Sequence, residues 1–297
     1  MNKFLLFILL GFFSQVVFAS SFDLPKPGDN VVGYVKIAQA QEDDDFSDIA
    51  RRFDVGYYEM FEANPGVDPD NPRVNTILIV PTQYVLPPEI KPNRIVVNLA
   101  EMRLYYQPKN EKRIYIFPVG IGKEDWDTPL GEMTVIKKVK DPKWIAPDSI
   151  YNFRKSIGDP VERVVPAGPD NPLGKYELRL SRQTFLIHGT NLPDGVGRRS
   201  SAGCIRLYPE DIEQLYKMVD VGTSVLIINK PYKAGWLNNK LYLEAHMPLL
   251  EQRIEMGDDV KPALAVVEEA NKDRKITIDW SKVTKIAQEH LTVPREI

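Results

Sequence analysis

The chain has 297 residues, 43% apolar and 27% charged, and Lys+Arg 38 against Asp+Glu 41 leaves a formal net charge of −3. This is globular composition with chain enough for about two domains; lacking a long basic block, it excludes the phosphate-neutralising surface of a nucleic-acid binder. One cysteine (Cys204) and three histidines (His188, His246, His290) exclude a His/Cys-rich zinc cage.

Lys3 precedes an apolar stretch from Phe4 to Phe13, and Val17-Phe18-Ala19 has the small-residue pattern of a signal peptidase site. The run is interrupted by Gly11, Ser14 and Gln15, short of the roughly 20 apolar residues that a spanning helix needs. Residues 1–19 are therefore expected to be a cleaved Sec signal peptide, and the mature protein to be soluble in a periplasm. No cysteine follows the run, so lipoprotein processing is excluded. Export bears on Cys204: a lone thiol in an oxidising compartment forms no internal disulfide and is a liability unless it is used. The alternative is a buried structural thiol.

Residues 20–32, with Pro25, Pro27 and Gly28, read as a leader. Tyr34 to Ile37 reads as a short strand. Asp45 then caps a helix whose apolar residues Phe46, Ile49, Ala50 and Phe53 follow the 3.6-residue period. A second helix carries Tyr57, Tyr58 and Phe61 and ends at the turn Asn64-Pro65-Gly66, and Thr76 to Val80 is a β-branched strand stopped by Pro81. The order β-α-α-β, with I-A-R-R-F (Ile49 to Phe53), N-P-G (Asn64 to Gly66) and I-L-I-V-P (Ile77 to Pro81), resembles a LysM module over residues 33–82. The resemblance implies binding of N-acetylglucosamine-containing glycans such as peptidoglycan. The usual G-D-T-L helix entrance is replaced by Glu42-Asp43-Asp44-Asp45, which leaves open a structural module without glycan binding.

Residues 83–92, with Pro87, Pro88 and Pro92, read as an extended linker. A second domain over residues 93–230 has strand candidates at Arg94–Leu99, Met102–Gln107, Arg113–Val119, Gly131–Lys138, Tyr176–Leu180, Thr184–Ile187 and Thr223–Ile228. Pro209-Glu210-Asp211 opens its one principal helix, with Ile212, Leu215, Tyr216 and Val219 on the buried face. The fold class is therefore mainly β. In the extension over residues 231–297, Pro231, Gly235 and Pro248 break the pattern; Lys240–Glu244 is a last strand candidate, and residues 262–271 and 281–290 look helical.

The chemistry concentrates in I-H-G-T-N-L-P-D-G-V-G-R-R-S-S-A-G-C-I-R-L, Ile187 to Leu207. A thiol attacks as thiolate, and an adjacent imidazole lowers its pKa and shuttles protons. His188 ends a strand sixteen positions before Cys204, a gap that a Gly-rich loop folds back. Gly203 lets backbone approach a reacting carbonyl, and the Gly203 and Cys204 amides are candidates for an oxyanion hole. Arg206, on the same face if this is a strand, is placed to hold a carboxylate. Arg198 and Arg199 are candidates to meet an acidic peptide or are solvated loop charges; His246 and His290, outside the motif, read as structural.

This string resembles the catalytic domain of the YkuD-type L,D-transpeptidases, whose signature is His-Gly, a loop, then Ser/Thr-x-Gly-Cys followed by apolar-Arg. The likeness extends to V-V-N-L-A-E-M-R-L-Y-Y (Val96 to Tyr106), P-V-G-I-G-K (Pro118 to Lys123), W-D-T-P-L-G (Trp126 to Gly131) and P-A-G-P-D-N-P-L-G (Pro166 to Gly174), as in the ErfK/YbiS-like periplasmic branch. The resemblance implies a YkuD-type β-sandwich and a two-step acyl transfer on peptidoglycan stem peptides. Cys204 attacks the carbonyl between meso-diaminopimelate and D-Ala of a tetrapeptide, D-Ala leaves, and an acceptor resolves the thioester. The acceptor stays open: a second diaminopimelate, an amine of an outer-membrane protein or lipoprotein, or water, which would make the enzyme an L,D-carboxypeptidase. His188 is the implied base, the Gly189 carbonyl orients its imidazole, and Ser201 orders the loop. Carbapenems are implied to acylate Cys204. Many members have His where this chain has Ala202, so one orienting contact is missing.

With no cofactor motif and no metal cluster, neither is expected. Ser-x-x-Lys and Lys-Thr-Gly do not occur, which excludes a penicillin-type transpeptidase. A papain-like hydrolase is excluded because its His lies far downstream of its Cys. The rival from another class is a non-catalytic wall-binding protein, against which the retention of His188, Gly203, Cys204 and Arg206 speaks.

Overall fold

The computed structural model describes residues 20–257 and 259–297; the expected signal peptide lies outside the described residues. The chain is mainly β, as its alternating strand patterns require. Its centre is a nine-stranded sheet in the order Ser20–Asp23, Arg113–Pro118, Arg103–Gln107, Arg94–Asn98, Ser224–Ile228, Gly131–Lys140, Tyr176–Leu180, Leu186–His188, Ile205–Arg206. Ser224–Ile228 runs parallel to Arg94–Asn98, and Leu186–His188 parallel to Ile205–Arg206. Alternation along a strand sends successive side chains to opposite faces. Ile95, Val97, Leu104, Tyr106 and Phe117 accordingly join the largest core with Ile212 and Leu215 of helix Pro209–Met218, whereas Val96, Tyr105, Ile114 and Ile116 pack on the other face against Val32, Tyr84 and Leu86.

The N-terminal module forms as its sequence directs. Strands Lys36–Gln39 and Ile77–Val80 pair antiparallel, and helices Phe46–Phe53 and Tyr57–Ala63 cover them through Phe46, Ile49, Met60, Leu78 and Val80. Asp45 caps the first helix by accepting from Asp48 N at 2.8 Å, satisfying one of its free amides. The first strand starts at Lys36, two residues later than expected, leaving Tyr34 exposed.

Four segments depart from expectation. Residues 20–32 are no passive leader: Ser20–Asp23 is the sheet's edge strand, and Val31–Gly33 pairs with Gln83–Val85. The supposed linker therefore opens with a strand, and Tyr84, Val85 and Leu86 are buried. The catalytic-region helix is not alone, since Asp148–Ser156 is helical; it buries no residue, so it has no core stripe for periodicity to reveal. In the C-terminal extension Tyr232–Leu237, broken on paper by Gly235, pairs with Lys240–Ala245 across Asn238-Asn239, both at positive φ as a tight hairpin turn demands. Helices Lys261–Asn271 and Trp280–Glu289 pack on this hairpin through Ala263, Val267, Val283, Ile286 and Ala287.

The module, the sheet and the extension meet at Arg103, which is fully buried. Its Nε donates to Glu59 Oε1 of the module at 2.6 Å, its Nη1 to Glu244 of the extension, and its guanidinium lies 4.3 Å from the Tyr84 ring centroid. Lys233 sits 2.8 Å from Glu101 and 3.1 Å from Glu244, and His246 Nε2 sits 3.0 Å from Glu244 Oε1. His246 is structural in this setting. Glu101, Glu244 and His246 are close enough to hold a metal ion, but Arg103 and Lys233 already supply positive charge to the same carboxylates.

Arg103→Met should strand Glu59 and Glu244 in the interior and cost about 3–5 kcal/mol in urea unfolding. Although burial opposes it, hydrogen bonds to Glu244 and Glu62 lift the His246 pKa from 6.5 to about 9. A raised basic pKa gives stability that is complete below pH 6.5 and lost as pH rises through about 9. Urea midpoints should fall across that window in the wild type and less in His246→Gln.

Candidate active site

The site is assembled at the far edge of the main sheet. In the parallel pair there, Ile187 lies opposite Ile205 and His188 opposite Arg206. Opposed residues share a face, as do residues two apart in extended chain. His188, Arg206 and, immediately before the strand, Cys204 thus belong to one face. The loop between them is stitched down on its other side, where Arg199–Ser201 pairs with Ile121–Gly122. Gly120 and Arg206 exchange backbone hydrogen bonds of 2.8 and 2.9 Å.

His188 is buried, and its Nδ1 lies 2.5 Å from the Gly189 carbonyl oxygen. A carbonyl only accepts, so Nδ1 carries the hydrogen and Nε2 keeps a free lone pair. A side chain at Gly189 would meet Ile212 Cγ2 at 2.9 Å, so glycine lets the helix close over this turn. Burial, reinforced by the Arg206 charge, pushes His188 down to about 3 despite the Gly189 contact.

Cys204 keeps part of its surface exposed, but the protein around Sγ desolvates it and pushes the thiol up to about 11, against the Leu186 backbone and the Arg206 charge. Burial leads in both shifts, so it favours the neutral imidazole at His188 and the neutral thiol at Cys204. The thiol points at the Thr184 carbonyl, 3.6 Å away.

The turn carrying Cys204 is tightly specified. Ser201 Oγ donates to the Cys204 carbonyl at 2.5 Å and accepts from Gly203 N at 3.2 Å. Of the two amides proposed for an oxyanion hole, that of Gly203 is thus engaged here. Gly203 has φ +97°, and a Cβ there would lie 2.8 Å from the Phe185 ring. Arg206 Nη1 reaches Ser200 Oγ at 3.4 Å, while its Nε is buried with no hydrogen-bond partner among the described residues.

Arg198 and Arg199 are not solvated loop charges. Arg198 lies 3.2 Å from the Tyr57 ring centroid and donates to Ser47 Oγ at 3.1 Å, both in the N-terminal module. Arg199 binds Glu251 at 2.7 Å, Asp127 at 3.2 Å and the Gly122 carbonyl at 3.1 Å. His290 caps the last helix and stacks on Tyr232, outside the site. The sequence reading missed Phe185 and Thr184; the latter holds φ +77°, an outlier for a β-branched residue that no pattern of residue types announces.

Comparison with known proteins places this sequence in a family. Residues 92–227 match the YkuD L,D-transpeptidase catalytic domain, and residues 39–81 match the LysM domain. The chain is 38% identical over 261 residues to the probable L,D-transpeptidase YbiS of Escherichia coli K12, covering 86% of this chain and 84% of that protein. It is 37% identical over 296 residues to the probable L,D-transpeptidase ErfK/SrfK of Salmonella typhimurium, covering 98% and 94%. It is 39% identical over 240 residues to the probable L,D-transpeptidase YcfS of Escherichia coli K12, covering 79% and 75%. A chain so related over most of its length belongs to the L,D-transpeptidase family, with a LysM domain ahead of the catalytic domain.

Proposed function

We propose that this L,D-transpeptidase works through Cys204, with His188 as base, on tetrapeptide stems of peptidoglycan. The observation that carries the reading is the His188 ring, locked by Gly189 with Nε2 free, on the same sheet face as the thiol and held toward its neutral form by burial. Such a ring accepts a proton at the moment of attack, which suits a thiol that is uncharged at rest.

The thiol proton passes to His188 Nε2 as Sγ bonds to the carbonyl between the L-centre of diaminopimelate and D-Ala. The Cys204 amide is the donor left to face the oxyanion. Collapse breaks the C–N bond, the proton moves from His188 to the departing amine, and D-Ala leaves with the acyl group on sulfur. An acceptor amine then attacks the thioester, gives its proton to His188, and the thiol is restored. The unpartnered Arg206 Nε is suited to a substrate carboxylate. Ser201 and Gly203 are positioning residues that aim the thiol. A second diaminopimelate or an envelope-protein amine serves as acceptor, the LysM domain supplies glycan-strand affinity, and cleavage of residues 1–19 leaves the enzyme in the periplasm. Among the described residues no helix is long and apolar enough to cross a membrane.

Incubation of the mature protein with disaccharide-tetrapeptide should give a transient thioester by intact mass and cross-linked dimers among the muropeptides. Cys204→Ala should abolish both while keeping glycan binding; an adduct that survives this substitution would sink the cysteine mechanism. Thioester with tripeptide alone would indicate trimming or a missing protein acceptor, and no adduct at all a wall-binding role. A carbapenem should add its mass to the wild type and not to Cys204→Ala. Because the thiol titrates near pH 11, iodoacetamide alkylation of the free enzyme should keep accelerating above pH 9, and a plateau reached by pH 7 would contradict the neutral resting pair. Ser201→Ala should lower kcat at least about tenfold with a smaller change in KM, because it loosens the thiol's aim.

A further inference from the structure

Beneath the LysM domain lies a pair of acids that the proposed reaction does not use. Asp54, in a left-handed conformation (φ 56°) at the end of helix Phe46–Phe53, and Asp211, in the first turn of helix Pro209–Met218, are both buried where the two domains meet. Asp54 and Asp211 hydrogen-bond to each other, and among the described residues no donor outside the pair reaches Asp54 Oδ1 or either oxygen of Asp211. The first helix directs its partially negative end at the same spot, and Glu59 adds repulsion on Asp54. Arg51, which acts on Asp211, is already paired with Glu210 at 3.1 Å. Two buried carboxylates without a cation are costly.

One nitrogen does reach the pair, on its Asp54 side: Ser20 N donates to Asp54 Oδ2 at 2.6 Å. Ser20 is also the residue that follows the expected signal peptidase site at Ala19. The edge strand Ser20–Asp23, paired to Arg113–Pro118, holds that nitrogen in place.

We propose that hydrolysis of the Ala19–Ser20 bond makes Ser20 the cationic partner of the Asp54–Asp211 pair, and that this ion pair fastens the LysM domain to the catalytic domain. Water, with a signal peptidase as catalyst, supplies the oxygen of the new Ala19 carboxylate, and the freed Ser20 nitrogen becomes an ammonium. The amide of an unprocessed chain has one hydrogen and no charge; the ammonium has three donors and the charge that the orphaned oxygens lack. Burial holds Asp54 up at about 7 and Asp211 well above its ordinary range while Ser20 is an amide, consistent with an acid pair that lacks its counter-ion. The docking contacts Arg198 on Tyr57 and Arg51 on Glu210 flank the pair.

The test compares full-length mature chains that begin at Ser20 with chains that retain Ala19, each with and without the double substitution Asp54→Asn, Asp211→Asn. Acetylation of the Ser20 α-amine by an N-hydroxysuccinimide ester at pH 7 should be about tenfold slower in the otherwise wild-type chain than in the doubly substituted one, the effect of raising an amine pKa by one unit. Retaining Ala19 should lower Tm in the wild-type background and leave it unchanged in the substituted one. If the doubly substituted chain does not fold, Nα-acetylation of the Ser20 chain, which removes the charge alone, should lower Tm by a similar amount. Equal acetylation rates, a Tm indifferent to Ala19 or to Nα-acetylation, or an exported protein whose first residue is not Ser20, would each overturn the proposal.

Discussion

Arg103 is the constraint around which the molecule is organised. A guanidinium with no exposure survives only where carboxylates surround it with good geometry, and its carboxylates come from different regions: Glu59 from the LysM domain and Glu244 from the C-terminal hairpin. Those regions cannot separate without abandoning a buried charge. Lys233 and His246 complete the cluster from the extension, and Glu244 also accepts from Val85 N at 2.7 Å, which ties down the segment that leaves the LysM domain.

The cluster also reaches the reaction site through ordinary strand pairing. Arg103 lies opposite Pro118; two residues on, Gly120 bonds the backbone of Arg206. A second route runs through the LysM helix that carries Glu59. Its Tyr57 supports Arg198, which immediately precedes the strand Arg199–Ser201, and Ser201 shapes the Cys204 turn. Domain docking and the aim of the thiol are thus properties of one packed unit.

Within the site, burial rather than charge pairing sets the resting chemistry. The same enclosure that lowers the His188 pKa raises that of the Cys204 thiol, so in the mechanism proposed above the proton moves only as substrate is attacked. Residue types alone name an imidazole that lowers the thiol pKa; the burial that raises it instead depends on the packed surroundings, which a motif does not specify. Arg198 and Arg199 teach the same lesson. Their charge was legible, whereas their engagement with Tyr57, Ser47, Glu251 and Asp127 depends on segments remote in sequence.

The mainly β class, the βααβ module with its Asp45 cap, the buried face of helix Pro209–Met218 and the grouping of His188, Ser201, Gly203, Cys204 and Arg206 were legible because each rests on local periodicity, capping or a short spacing. The edge strand at Ser20, the strand inside the supposed linker, the Tyr232–Leu237 hairpin arm and helix Asp148–Ser156 were not. Each depends on a partner strand far along the chain or has no buried stripe. The sequence by itself determined which family the chain joins and which residues are the candidates for its chemistry. Only the tertiary structure decided their protonation, the docking of the LysM domain and the meeting of Ser20 with Asp54, because burial and long-range contact are properties of the packed chain and of no segment alone.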